Sequence, residues 1–305
     1  MQVRLRPRIV VGIAGEDCDA ALGVAAEQAR LRDLGVHLVH VVRPPTSCGL
    51  EAADIARWAD DTERAGRLVA GAVRRLDGLL GGEHPPVTSG VWHGDVAPSL
   101  AAAGQDAALI VIQHRRTVRR AQALHSVTQD VIAQTTVPVL VVPDDWRPLA
   151  RGHPHVVTVG LPASSAAPGV LRAALEEAER LEARLLVVHT HDDPPTGTVL
   201  DGSSTATRLH LLQGAVSYLA GERPDVPVEV VVAATPPAEA LARAAATSML
   251  VVVGRRHSRT GSAARSRHVV HELLTRCPCP LLVVDPLGGQ GRDTSVAGQR
   301  QTSQR

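Results

Sequence analysis

The sequence predicts two tandem α/β domains, each a doubly wound, five-stranded parallel sheet with helices on both faces. Three observations carry this prediction. An ordered set of strand-like and helix-like segments occurs twice along the chain. The strand-like runs, such as Ile9 to Ile13 and Leu250 to Val253, are apolar throughout and do not alternate with polar residues. Strands buried on both faces look like this, and such sheets are parallel. Finally, 305 residues is room for two domains of roughly 150 residues each.

Each half opens on an aliphatic strand ending near a glycine, Arg8-Ile-Val-Val-Gly-Ile-Ala14 and His155-Val-Val-Thr-Val-Gly-Leu161. Helical stretches follow at 17–34 and 164–181. Second strands end in Val-His, within Val36-His-Leu-Val-His-Val-Val42 and Arg184-Leu-Leu-Val-Val-His-Thr190. Then come helices at 52–80 and 205–220, third strands at 87–93 and 227–233, and short helices at 97–103 and 238–246. Fourth strands span 108–113 and 249–254, and last helices 126–134 and 267–276. Closing strands contain a proline, in Val137-Pro-Val-Leu-Val-Val142 and Cys279-Pro-Leu-Leu-Val-Val284. The division is a first domain at 1–143, a linker at 144–154 rich in Pro, Asp and Arg, a second domain at 155–285, and a tail at 286–305. The tail is Gly, Gln, Ser and Arg rich without periodicity, so disorder is expected there.

Composition excludes several functions. The chain has no Phe, Lys or Asn, so all 32 basic charges are Arg. Without Lys there is no Walker-type phosphate lysine, Schiff-base lysine or Ser-x-x-Lys nucleophile. Net charge is +1 with His neutral, and a nucleic-acid binder usually shows a basic excess with stacking aromatics. No apolar run reaches the roughly 18 residues that span a membrane. The basic residues 1–7 run straight into a strand, which makes a poor signal peptide. Cys18, Cys48, Cys277 and Cys279 have no framework spacing, and a reducing, cytoplasmic compartment is the simplest reading.

The ordered pattern resembles the universal stress protein family, present here as a tandem over nearly the whole chain. Its pieces are the opening strands ending in Val11-Gly12 and Val159-Gly160, the second strands ending in Val39-His40 and Val188-His189, and the closing Val137-Pro138 and Cys279-Pro280. The resemblance implies a Rossmann-like parallel sheet and pairing of two domains through their last strands. A tandem chain satisfies that pairing internally, and a homodimer is a further possibility. Many family members bind ATP through Gly-x2-Gly-x9-Gly-(Ser/Thr) after the fourth strand, with an Asp at the end of the first. Glycines let the backbone approach phosphate, and a helix N-terminus offers its free N–H groups to the anion.

This sequence departs from that pattern. In the first half the glycine positions hold Gln113, Arg116 and His125, the Asp position holds Ala14, and only Ser126 is retained. In the second half Gly254 is retained, while His257, Arg267, His268 and Pro162 replace the rest. Losing a few hydrogen bonds of roughly 1 kcal/mol each moves a micromolar affinity towards millimolar. The replacement loops are basic, with His114, Arg115, Arg116, Arg119 and Arg120 in one half and Arg255, Arg256, His257, Arg259, Arg265 and Arg267 in the other. Two readings stand: a remodelled anion site in which Arg side chains replace backbone contact, and a solvated loop. The candidate nucleotide-binding residues are Gly254, Arg255, Arg256, Arg267, Pro162 and Ser126.

Other groupings read as structural. His268, His271, Cys277 and Cys279 lack zinc-ligand spacing, so small buried cysteines are expected. His40 and His189, at matching strand ends, read as hydrogen-bonded structural residues. Glu176, Glu177, Glu179 and Glu182, among Arg172, Arg180 and Arg184, read as a solvated helix face. Trp58, on an Ala-rich helix, is expected to pack against the sheet. There is no Gly-x-Ser-x-Gly elbow, His-Glu-x2-His helix or His-x-Gly-His signature, and no metal-holding carboxylate at either predicted site. The sequence therefore reads as a cytoplasmic, non-catalytic stress-response module for binding or interaction, with its ATP motifs largely lost and no cofactor expected. The alternative is a regulator that binds ATP or another adenine nucleotide, mainly in the second half.

Overall fold

The computed structural model describes residues 7–45, 51–115, 127–148, 155–161, 167–190, 202–233, 235–255 and 263–286. The expected disorder of the tail falls almost wholly outside them. In the first half β1 (Arg8–Gly12), α1 (Asp19–Arg32), β2 (Gly35–Val42), α2 (Ala52–Leu80), β3 (Val87–His93), α3 (Val96–Ala103), β4 (Leu109–His114), α4 (Val127–Gln134) and β5 (Val139–Pro143) follow in order. The second half continues with β6 (Val156–Leu161), α5 (Pro168–Arg180), β7 (Arg184–Thr190), α6 (Gly202–Gly221), β8 (Val228–Ala233), α7 (Pro237–Ala245), β9 (Leu250–Gly254), α8 (Ala263–Arg276) and β10 (Leu281–Val284).

The strands form one ten-stranded sheet in the order β3-β2-β1-β4-β5-β10-β9-β6-β7-β8. Every neighbouring pair is parallel except one. At the centre, β5 and β10 run antiparallel with Leu281 opposite Val141, Leu282 opposite Leu140 and Val283 opposite Val139. The last strands of the two halves thus meet inside one chain.

The apolar strands explain the layering. On β1, Ile9 and Val11 enter one core while Val10, between them, enters the other, and all three are fully buried. The first core is closed by α1, α2, α5 and α6 and runs without a break from one half to the other. The second core is closed by α3, α4, α7 and α8. With no Phe available, these cores are Val, Leu, Ile and Ala, each contributing a modest burial. On α2 the buried residues Ala65, Val69, Ala72, Leu76 and Leu80 recur every three or four positions, the stripe of a helix lying on a sheet. Its earlier turns are mostly exposed and carry the ion pairs Arg57–Asp54 and Arg64–Asp61. Half-buried Trp58 sets its ring edge-on to His93 at the end of β3, 5.1 Å between centroids.

Two expectations change. The fifth helix starts at Pro168 and not at 164, because proline, which lacks an N–H and has φ preset, suits a first helical turn. The glutamates of α5 are not all solvated. Glu177 is buried, and its carboxylate lies 2.6 Å from Arg32 on α1. α5 lies at the seam between the halves, where that position faces protein.

The start of the linker is ordered: the Asp144 N–H donates to the His114 carbonyl, and Trp146 packs against both cores. Among the described residues no helix is long and apolar enough to cross a membrane.

Candidate functional site

In open parallel sheets ligands sit beyond the carboxyl ends of the strands, where strand order reverses. In the first half that crevice lies between β1 and β4, whose next neighbours, β2 and β5, are reached in opposite directions. The loop after β1 is held there from three sides. His40 on β2 places Nδ1 2.7 Å from the Ile13 carbonyl, and because a carbonyl only accepts, the proton sits on Nδ1. Arg75 on α2 donates to the Glu16 carbonyl at 2.7 Å and to the Asp19 carboxylate at 2.9 Å, and reaches the Cys18 sulfur at 3.4 Å. Gln113, near the end of β4, crosses the crevice itself. Its Nε2 donates to the Asp17 carbonyl at 2.7 Å, and its Oε1 accepts the Ala21 N–H at 3.1 Å.

That last contact replaces a helix cap. The N-cap of α1 is Cys18, which makes no side-chain capping bond. Ala21 is the third residue of the helix, and its N–H is one of the donors that a helix leaves unsatisfied. A residue from a different strand satisfies it. The Cys18 thiol beside it is pushed above its ordinary pKa, by burial first, against an opposing pull from Arg75.

In the second half, β9 ends in Gly254 with no side chain to cross the equivalent crevice. A Cβ there would sit 2.8 Å from Val170 Cγ2 on α5, so glycine is also what lets the strand and helix pack this closely.

Of the six candidate nucleotide-binding residues, Gly254 and Arg255 are described in full. Arg267 lies on α8, with its side chain outside the description. Arg256, Pro162 and Ser126 fall outside the described residues. Arg255 does not turn towards the second-half crevice. It is 5% exposed, its backbone N–H donates to the Val284 carbonyl at 2.6 Å, and its Nη2 crosses the seam to donate to the Val137 carbonyl at 3.0 Å. Nε and Nη1 are buried and find no hydrogen-bond partner among the described residues. Burial lowers the guanidinium's proton affinity, with Asp285 opposing.

His114, the last residue of β4, makes the corresponding move from the other side. It lines a small cavity with Cys277, Cys279 and Leu281 of the second half and lies 3.4 Å from the Thr128 hydroxyl. Burial holds its pKa below the usual histidine value, with Asp144 opposing and His271 adding to the depression. His189, matching His40, is buried at 3% exposure. Sequence reasoning missed the reach of Gln113 and the part played by Arg75. Gln113 stood in the sequence as a lost glycine, and nothing local ties Arg75 to a loop 59 residues away.

The family model described as "Universal stress protein family" matches residues 6–143 and again 155–285. The chain belongs to the universal stress protein family. Universal stress protein Rv1996 of Mycobacterium tuberculosis is 30% identical over 277 residues, covering 83% of this chain and 86% of that protein. Universal stress protein Rv2623 of the same organism is 29% identical over 257 residues, covering 81% and 86%. Among solved structures, a universal stress protein from Archaeoglobus fulgidus superposes with a TM-score of 0.68 at 14% identity, covering 91% of this chain and 96% of that one. That similarity shows the shared tandem fold.

Proposed function

We propose that this universal stress protein is a non-catalytic binding and interaction module that needs no bound cofactor, and that its first crevice is closed by its own side chain. The observation that carries this reading is Gln113. Its two hydrogen bonds join β4 to the β1–α1 loop across the place where a ligand would lie, and they use the helix donor a ligand would need. A nucleotide entering there would first have to break both bonds and find equivalents. The scarcity of acid–base or metal-holding constellations in the sequence supports a non-catalytic role.

A second reading is favoured by Gly254, which brings no side chain of its own to the second crevice where Gln113 plugs the first. In that reading an adenine nucleotide binds the second half through Gly254, Arg256 and Arg267. Arg255 takes no part, because its guanidinium is engaged at the seam.

Calorimetric titration of the full chain with ATP, ADP, AMP and cyclic AMP, with and without magnesium, separates the two. The first reading expects no saturable binding in the micromolar range. Micromolar binding that is lost in Arg267→Ala establishes the second. Steady release of phosphate from ATP above a heat-treated control overturns the non-catalytic role.

A further inference from the structure

We propose that Cys277 and Cys279 are a reversible oxidation site, a thiol pair that a hydroperoxide converts to a disulfide at the base of the central strand β10. This inference is independent of whether either crevice binds a nucleotide.

The two sulfurs lie 3.6 Å apart, and the Cys277 thiol also donates to the Cys279 carbonyl at 3.2 Å. A disulfide requires about 2.05 Å between sulfurs, so closure needs an approach of roughly 1.5 Å, within the reach of side-chain rotation. Residues two apart have Cα atoms at most about 7 Å from one another, close to the range that disulfides span. Both thiols are almost fully buried, at 2% and 1% exposure. Both nevertheless line the cavity shared with His114, Val141 and Pro143 of the first half, which leaves ≈ 10 Å³ for the centre of a water-sized molecule. That is about the space one water needs, so bulky oxidants are shut out and only a small reagent has access to the pair.

The chemistry balances with that oxidant. Cys277, as thiolate, attacks a peroxide oxygen, and the O–O bond breaks; Cys279, whose pKa is pushed well above the ordinary value by its hydrogen bond to Cys277 and by burial, stays protonated as the resolving thiol. The departing hydroxide takes up the first thiol's proton as water, and a sulfenic acid forms. The second sulfur attacks the sulfenic sulfur. The S–S bond forms, the S–O bond breaks, and hydroxide leaves as a second water with the second thiol's proton. Two thiols lose two electrons, and one peroxide becomes two waters.

The position gives the reaction a structural readout. Cys279 stands two residues before Leu281, which pairs with Val141 across the antiparallel seam. The new bond would shorten the turn between α8 and β10, the strand that joins the halves.

The test treats the native full chain with hydrogen peroxide, alkylates remaining thiols under denaturing conditions, and maps cysteine peptides by mass. The expected result is a peptide carrying both Cys277 and Cys279 that is unalkylated and about 2 Da lighter than its reduced form, restored by a thiol reductant. A peptide that stays fully alkylated, or that carries sulfinic acid in place of the disulfide, overturns the proposal. In Cys279→Ser, Cys277 is expected to be trapped by dimedone as sulfenic acid. If that variant fails to fold, the wild-type mass shift alone decides.

Discussion

Arg32 on α1 and Glu177 on α5 hold each other at 2.6 Å across the seam, with side chains only 12% and 6% exposed. On the opposite face of the sheet, Gln129 on α4 and His271 on α8 approach to 2.5 Å. The halves are therefore joined by strand pairing in the middle layer and by polar contacts in both outer layers. Glu177 also accepts from Arg180 at 2.9 Å, so its carboxylate serves two guanidinium groups.

That asymmetry makes the two ends of the pair unequal. Glu177→Ala strands a nearly buried cation and is expected to cost about 3 kcal/mol, the scale for breaking a buried ion pair from one side. Arg32→Ala leaves the carboxylate with Arg180 and is expected to cost about 1–2 kcal/mol. Urea unfolding of the full-length variants measures both, and equal losses would contradict the arrangement.

Gln113→Ala removes the cap of α1 and is expected to cost about 1–2 kcal/mol. The local sign is faster hydrogen exchange at the Ala21 amide. Gln113→Glu keeps an acceptor for Ala21 but loses the donor to Asp17, so it should protect that amide more than alanine does. Unchanged exchange in both variants would show that the bond contributes nothing.

Stability should fall on mild acidification, and His114 supplies part of the fall. Its folded pKa lies below the ordinary value near 6.5 because burial disfavours the charged form. Above that value both states are neutral and the residue has no effect. As pH falls through about 6.5 towards the lower folded pKa, the unfolded chain takes up a proton that the fold does not, and the fold loses stability. His37, also depressed by burial, adds in the same direction. Urea midpoints between about pH 7.5 and 5 should fall less steeply in His114→Gln.

Gly254→Ala should destabilise by about 1–3 kcal/mol, because the new methyl meets Val170 at 2.8 Å. Gly23→Ala, inside α1 where a Cβ meets nothing within 4 Å, should stabilise by up to about 1 kcal/mol. Melting temperatures that move in the same direction for both would contradict the packing at β9.

Much of this architecture is legible in the amino-acid order. Runs such as Ile9 to Ile13 have no polar alternation, as expected of a strand covered on both faces. The pairing of the last strands follows from the tandem repeat together with the family resemblance. What escapes is contact across long separations. Glu177 sits in a run that looks solvated, and its burial depends on Arg32, 145 residues away. Gln113 reads locally as a missing glycine, while its role comes from Ala21, 92 residues earlier. Arg255 reads as an anion ligand beside other arginines, and only the fold reveals that Val137 takes its hydrogen bond. Periodicity encodes which face of a segment is apolar, but not which distant segment will lie against it.

The reversal of direction at the β5–β10 junction has a geometric consequence. The carboxyl-terminal rim of one half-sheet points up where that of the other points down. A strand of five residues spans about 17 Å, so the rims are offset by at least that thickness and open to opposite sides. The protein is built less like a pair of jaws than like a double-ended plug, with its two rims facing away from each other.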